Sequence, residues 1–484
     1  MKNISLYDRL NELSHSDYYP FHMPGHKRMT DHPFLNDFSN PYSLDITEID
    51  GFDNLHHPEG ILKDSMERTA AIYGADKSYY LVNGSTCGIL SAICGTTNCG
   101  DVMIMSRNCH KSAYHGAFLN HLEIKYLYPE IIEEFEIQGG VAVEELEAMF
   151  KTFQRIAAVF IVSPTYDGIV SDIKRLADIC HTYKVPLIVD EAHGAHFRYG
   201  ETFPTSALDM GADVVIQSLH KTVPAFTQTA LIHIKKGIVD IEKIEYYLQI
   251  FQSSSPSYLF MSGIQRCIEF MESEGRQQIK LYEKHLMQLR KNLMEMKHLK
   301  LLDRSVAGGY SVYDLDHSKI VVSTEKTNIG GQQLMDRLRT SYHLELEMCS
   351  ANYVTAITSV MDTKEGLKRL GDALKTIDGI LTVSIDPKKQ KEDGVVWKTH
   401  SPTSRLTLYE AWTGKKKEIA LEDSEGMISG EFVYLYPPGI PLVVPGEILS
   451  KDIINTILLY KHKGLSVQGL INYDIHRIRI VLIP

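Results

Sequence analysis

The sequence predicts an α/β fold built on a mostly parallel sheet with helices on both faces, followed by smaller α+β units. Two observations predict it. Between about residues 70 and 235, short runs that are apolar throughout alternate with stretches of helical period. Strands without a polar face are covered on both sides, as in a parallel sheet. In addition, every one of these runs ends in a polar cluster, the pattern expected where all strand ends share one edge.

The runs are SYYLV (78–82), DVMIM (101–105), IAAVFIV (156–162), VPLIVD (185–190) and DVVIQ (213–217). Between the third and fourth, IKRLADICHTYK places Ile173, Leu176, Ala177 and Cys180 on one helical face. Residues 262–298 read as one long helix or a broken pair, with Leu286, Leu289, Leu293 and Met296 in a core-packing stripe. A new set of short strands and helices occupies 299–383, and SIDPKKQKEDG (384–394) reads as a charged linker. The remainder holds EFVYLYPPGIPLVVPGE and ends in IRIVLIP, a small α+β pattern. At 484 residues the chain exceeds one core. The expected divisions are an N-terminal segment 1–60, a large unit 61–298, a small unit 299–383 and a C-terminal unit 384–484.

Composition removes several classes of function. Against 50 basic residues stand 61 acidic ones, a net charge of −11, which disfavours general affinity for nucleic acid or anionic membrane. No apolar run approaches spanning length, and the N-terminus lacks a basic stretch followed by an apolar one. The seven cysteines form no CxxC pair and the 21 histidines no HExxH, so free thiols, a cytoplasmic location and no structural metal are expected.

The chemistry collects at the strand ends, in NGST (83–86), SRNCHKS (106–112), SPTYDG (163–168), DEAHGAH (190–196) and SLHKT (218–222). Each cluster suits one part of an aromatic, phosphorylated, lysine-linked cofactor. Gly84, Ser85 and Thr86 open a helix whose free N–H groups and two hydroxyls suit a phosphate; an ordinary N-cap is the competing reading. Asp190, at the end of a buried strand, needs a cationic partner such as a protonated pyridine nitrogen, or else caps the next turn. His110 would lie flat on a ring or hydrogen-bond within its loop. Lys221 would be the nucleophile, its amine kept partly neutral by a dry pocket and a nearby cation. His220 and Ser218 stand where they could touch phosphate or substrate.

At these residues the chain resembles the bacterial ornithine/lysine/arginine decarboxylase family, pyridoxal-phosphate enzymes of the aspartate-aminotransferase fold, in the short form without an N-terminal wing domain. FHMPGHK (21–27) is the most specific string; DNLHHPEG, NGSTCG, RNCHKS, PTYDG, VDEAHGAH, SLHKT, SSSPSY and PPGIPLVVPGE follow in the family's order. The resemblance implies that Gly84, Ser85, Thr86, Ser218 and His220 surround the phosphate of pyridoxal 5'-phosphate. It puts His110 on the ring, Asp190 at the ring nitrogen, Ala192 beneath, His193 beside, Thr165 among the cofactor contacts, and the Schiff base on Lys221. Ser254 and Ser255 of SSSPSY would reach the neighbouring subunit's phosphate, implying a homodimer with shared sites. The implied reaction removes CO2 from arginine, lysine or ornithine and yields a polyamine precursor. Lys221, His220, His110 and Asp190 would be catalytic, and Glu347 and Glu447 are the candidates to receive the distal cation, exposed structural glutamates being the alternative. Transamination or elimination on the same cofactor, or a catalytically inert polyamine sensor, are the rival readings. There are two departures. Larger acid-response relatives carry tryptophan where this chain has His193, which puts their decameric assembly and effector control in doubt here. TVPAFTQTA (222–230) replaces a glycine-containing stretch, which leaves the substrate open.

Overall fold

The computed structural model describes residues 6–29, 32–38, 40–383, 402–435, 440–462, 465–470 and 476–483. The 384–394 linker and Pro437 and Pro438 of the PPGIP string lie outside the described residues.

Seven strands form the central sheet: β1 (Lys77–Leu81), β2 (Val102–Ser106), β3 (Glu123–Leu127), β4 (Ile156–Val162), β5 (Leu187–Asp190), β6 (Val214–Gln217) and β7 (Ala230–Ile234). They are ordered β1-β7-β6-β5-β4-β2-β3, and all pairings are parallel except the two made by β7. Along β4, Val159 and Ile161 enter one apolar core while Ala158 and Phe160 enter another on the opposite face. That two-sided burial is what apolar-throughout runs demand.

The five runs read from sequence are strands β1, β2, β4, β5 and β6; β3 and β7 were not legible as runs. β3 is an edge strand, mostly half-buried, so its sequence EIKYL keeps polar residues. β7 is fully buried but carries His233. Its imidazole is hydrogen-bonded to Ser78 Oγ at 2.7 Å and Gln217 Oε1 at 3.3 Å, and it stacks on Tyr73. Burial holds its pKa down at about 3, so it is a neutral, satisfied core group.

The 262–298 stretch is a broken pair, helices Tyr258–Glu272 and Glu274–Leu293 meeting at Ser273. Leu286, Leu289 and Leu293 are buried as the stripe requires, whereas Met296 lies just past the helix end. A four-stranded antiparallel sheet follows, ordered Lys300–Leu301, Lys319–Ser323, Tyr353–Ile357, Met348–Cys349. The C-terminal region pairs Lys416–Ala420 with Arg477–Val481 and sets Val433–Leu435 between Pro441–Val443 and Val467–Gln468.

Candidate active site

The C-terminal ends of β1, β2, β4, β5 and β6 converge on a cavity of about 330 Å3, which Glu347 also lines. Parallel strands deliver their following loops to one edge, so clusters as distant in sequence as NGST (83–86) and SLHKT (218–222) meet there.

After β1 the chain turns through Gly84 at φ +75°, a left-handed conformation suited to glycine, into helix α1 (Gly84–Thr96). The N-cap is Asn83, which makes no side-chain cap; its Oδ1 instead accepts from Ser253 N at 3.1 Å. Ser85 and Thr86 therefore sit in the first turn with their hydroxyls on the cavity, not as the N-cap. His110 caps helix α2 (Lys111–Leu119), where its Nδ1 meets Ser112 N and Oγ, and it also faces the cavity. Burial and the charge of Lys221 lower its pKa to about 3.

Asp190 ends β5 with one oxygen accepting from Ala192 N at 3.1 Å. It is 4% exposed and forms no ion pair among the described residues. Burial raises its pKa, and the charge of Lys221 pulls it back. Lys221 lies in helix α3 (Leu219–Thr222), a single turn after β6, with Nζ 3.1 Å from His193 Nε2. Burial lowers the lysine pKa; Asp190 and Glu347 oppose this, and the buried Lys319 adds to it. The net direction is toward a more readily neutralised amine, and Lys319 is the nearby cation that the sequence left unnamed. His193 is held well below its usual pKa by burial and by Lys221, so a neutral imidazole faces that amine.

The remaining assignments divide. Ala192, His193 and His220 line the cavity, and His220 is hydrogen-bonded to Thr229 O at 3.0 Å. Ser218 is fully buried with no partner for its hydroxyl among the described residues, within the lysine turn but not on the cavity wall. Thr165 is absent from that wall, because its Oγ1 accepts from Ile169 N at 3.1 Å and closes the turn after β4. The wall position belongs to Tyr166, which sequence reasoning passed over within SPTYDG. Its ring meets His193 edge-on at 5.0 Å and its hydroxyl donates to Glu347. Ser254 and Ser255 are exposed and do not line this chain's cavity.

The two glutamates part company. Glu347 faces the cavity and accepts from Met23 N at 2.8 Å. Glu447 does not. It is 1% exposed and clamped by Arg107, Nε at 3.2 Å and Nη2 at 3.1 Å, with Val444 N donating at 2.8 Å. Arg107 also donates to Pro441 O and Leu442 O, so this pair fastens the C-terminal region to the loop before His110. As a substrate receptor Glu447 is thus replaced by a structural role. Glu447→Gln leaves Arg107 buried without its counter-charge, and a stability loss of about 3–5 kcal/mol with unchanged KM is expected. Denaturant midpoints and substrate titration check the two halves.

The sequence profile described as "Orn/Lys/Arg decarboxylase, major domain" matches residues 5–326, and its C-terminal counterpart matches 398–469. The chain belongs to this family. Among curated members, the arginine decarboxylase of Bacillus subtilis is 29% identical over 479 residues, covering 98% of this chain and 97% of that one. The constitutive lysine decarboxylase of Escherichia coli is 23% identical over 525 aligned residues, covering 90% of this chain and 72% of the relative. The solved Francisella novicida lysine decarboxylase superposes with a TM-score of 0.79 at 18% identity, over 98% of this chain and 80% of that chain. Membership implies pyridoxal phosphate, and the site passes a test of fit on its own geometry. A buried carboxylate with no ion pair among the described residues, an amine whose pKa burial lowers and a helix start left uncapped by its N-cap side chain all border one cavity.

Proposed function

We propose that this chain is a pyridoxal-phosphate-dependent decarboxylase of a basic amino acid, with arginine as the preferred substrate. The observation that carries the reading is that Lys221, Asp190 and Glu347 line one cavity. The preference for arginine draws support from the arginine decarboxylase relative, which matches this chain along nearly its whole length.

The cofactor, when bound, supplies an electron sink for the bond pair left at Cα as CO2 departs. The protein does the rest. Lys221 Nζ holds the cofactor and returns a proton to Cα, with neutral His193 at 3.1 Å as its relay and His220 as the second nearby proton carrier. Asp190 would hold the cofactor's ring nitrogen in its protonated form, a role its elevated pKa alone would weaken and a cationic partner would restore. Ser85 and Thr86, with the α1 N–H groups, would hold the phosphate, and His110 would contribute to holding the ring. Glu347 receives the distal cation of the substrate, its carboxylate aimed by Met23 N and Tyr166.

The same reading makes the enzyme a cytoplasmic homodimer whose amine product enters polyamine synthesis. Ser254 and Ser255 support the dimer: they are exposed, next to the α1 N-terminus through the Ser253–Asn83 bond, and unused by their own cavity. No described helix is long and apolar enough to cross a membrane. The test is incubation of cofactor-loaded protein with arginine, lysine and ornithine separately, followed by mass identification of the amine. Fastest conversion of arginine supports the proposal; no CO2 from any of the three refutes it.

A further inference from the structure

The string FHMPGHK contributes only Met23 to the cavity wall, yet its contacts reach both ends of the site. Residues Tyr19–Phe21 pair in parallel with Leu344–Leu346, which leads directly into Glu347. Met23 N then donates to Glu347 Oε2 at 2.8 Å. Two residues later the chain crosses to the lysine turn, where Gly25 N donates to His220 O at 2.7 Å. The crossing is tight: a Cβ on Gly25 would come within 2.8 Å of Val223 O and 2.9 Å of Val223 N. Only glycine allows the two backbones this close.

The end of the string is anchored in the second sheet. The Lys27 side chain is fully buried, with Nζ donating to Ile357 O at 2.7 Å and His22 O at 3.1 Å, and Asp362 at 3.7 Å. Asp362 accepts from Ser359 N, and Ser359 Oγ donates to Gly25 O at 2.6 Å. A buried lysine is costly unless its donors and charge are met, and here they are.

We propose that residues 19–27 form a splint fixing the span between the Glu347 carboxylate and the turn that carries Lys221, with Gly25, Lys27 and Ser359 as positioning residues. The inference rests on the reading of Lys221 as nucleophile and Glu347 as side-chain receptor. A one-turn helix holds its own place poorly, so the bond from Gly25 N to His220 O supplies a restraint that the turn lacks. Arginine, lysine and ornithine differ mainly in side-chain reach, so a fixed span between receptor and nucleophile selects among them. The splint is thereby a specificity element, not only a tether.

Ser359→Ala removes one hydroxyl bond from the splint and touches neither cofactor nor substrate. In the cofactor-loaded protein, KM for the preferred substrate should rise about fivefold to tenfold, the loss of one well-formed hydrogen bond. The kcat/KM ratio between preferred and next-best substrate should shrink by a similar factor. In the cofactor-free protein, hydrogen exchange should quicken in peptides covering 19–27 and 219–223 together. Gly25→Ala should do the same more severely and also slow the labelling of Lys221 by a carbonyl reagent. Faster exchange confined to 19–27, with the substrate ratio unchanged, would overturn the splint and leave a tether. If the wild-type protein decarboxylates none of the three amino acids, the functional reading fails, while the exchange experiment still decides whether the two segments are coupled.

Discussion

Lys221→Ala is expected to abolish covalent cofactor attachment and to lower turnover about 10⁴-fold or more, since removal of a covalent nucleophile costs on that scale. The amine faces the cavity, has His193 as its hydrogen-bond partner, and is depressed in pKa chiefly by burial. Its loss therefore leaves no ion pair broken in the core, and the fold should be retained. The visible absorbance of bound cofactor and turnover measured on the same preparation check this. Retained turnover in a folded variant would move the nucleophile to another lysine.

The second large effect concerns Glu347→Gln. In the structure this carboxylate is met by two neutral donors, Met23 N and the Tyr166 hydroxyl, and by no ion pair among the described residues. A substrate cation would supply the missing charge in a partly desolvated cavity. Removing one partner of such a pair costs about 3–5 kcal/mol, or roughly 150- to 4,000-fold in KM. Glutamine preserves the shape and can still accept from Met23 N, so cofactor absorbance should not change. A KM within twofold of wild type would place the distal receptor elsewhere, with residues lent by a second subunit the next to try.

Much of this site was legible in the sequence because the sheet makes it so. Strands β1, β2, β4, β5 and β6 carry apolar runs, and the sheet topology then brings NGST, SRNCHKS, SPTYDG, DEAHGAH and SLHKT to one edge. What sequence could not decide was set by contacts across long separations or by one turn. Glu447 looked like a receptor until Arg107, 340 positions away, was found clamped to it. Thr165 and Tyr166 are adjacent, and only the closure of the turn by Ile169 N decides that the threonine hydroxyl is consumed and the tyrosine faces the cavity. Lys319 carries no local signal, standing at the start of the short strand KIVVS, fully buried 3.5 Å from Asp316. FHMPGHK was recognisable as a string, but its work depends on bonds to His220, Glu347 and Ser359 that no spacing reveals.

The central claim is that one lysine at the end of β6 carries the cofactor. Loading the wild-type protein with pyridoxal phosphate, reducing with borohydride and mapping the modified peptide by mass spectrometry tests it most directly. The account predicts the added mass on Lys221 and on no other lysine. A label on Lys111, Lys27 or Lys319, or none at all, would contradict it.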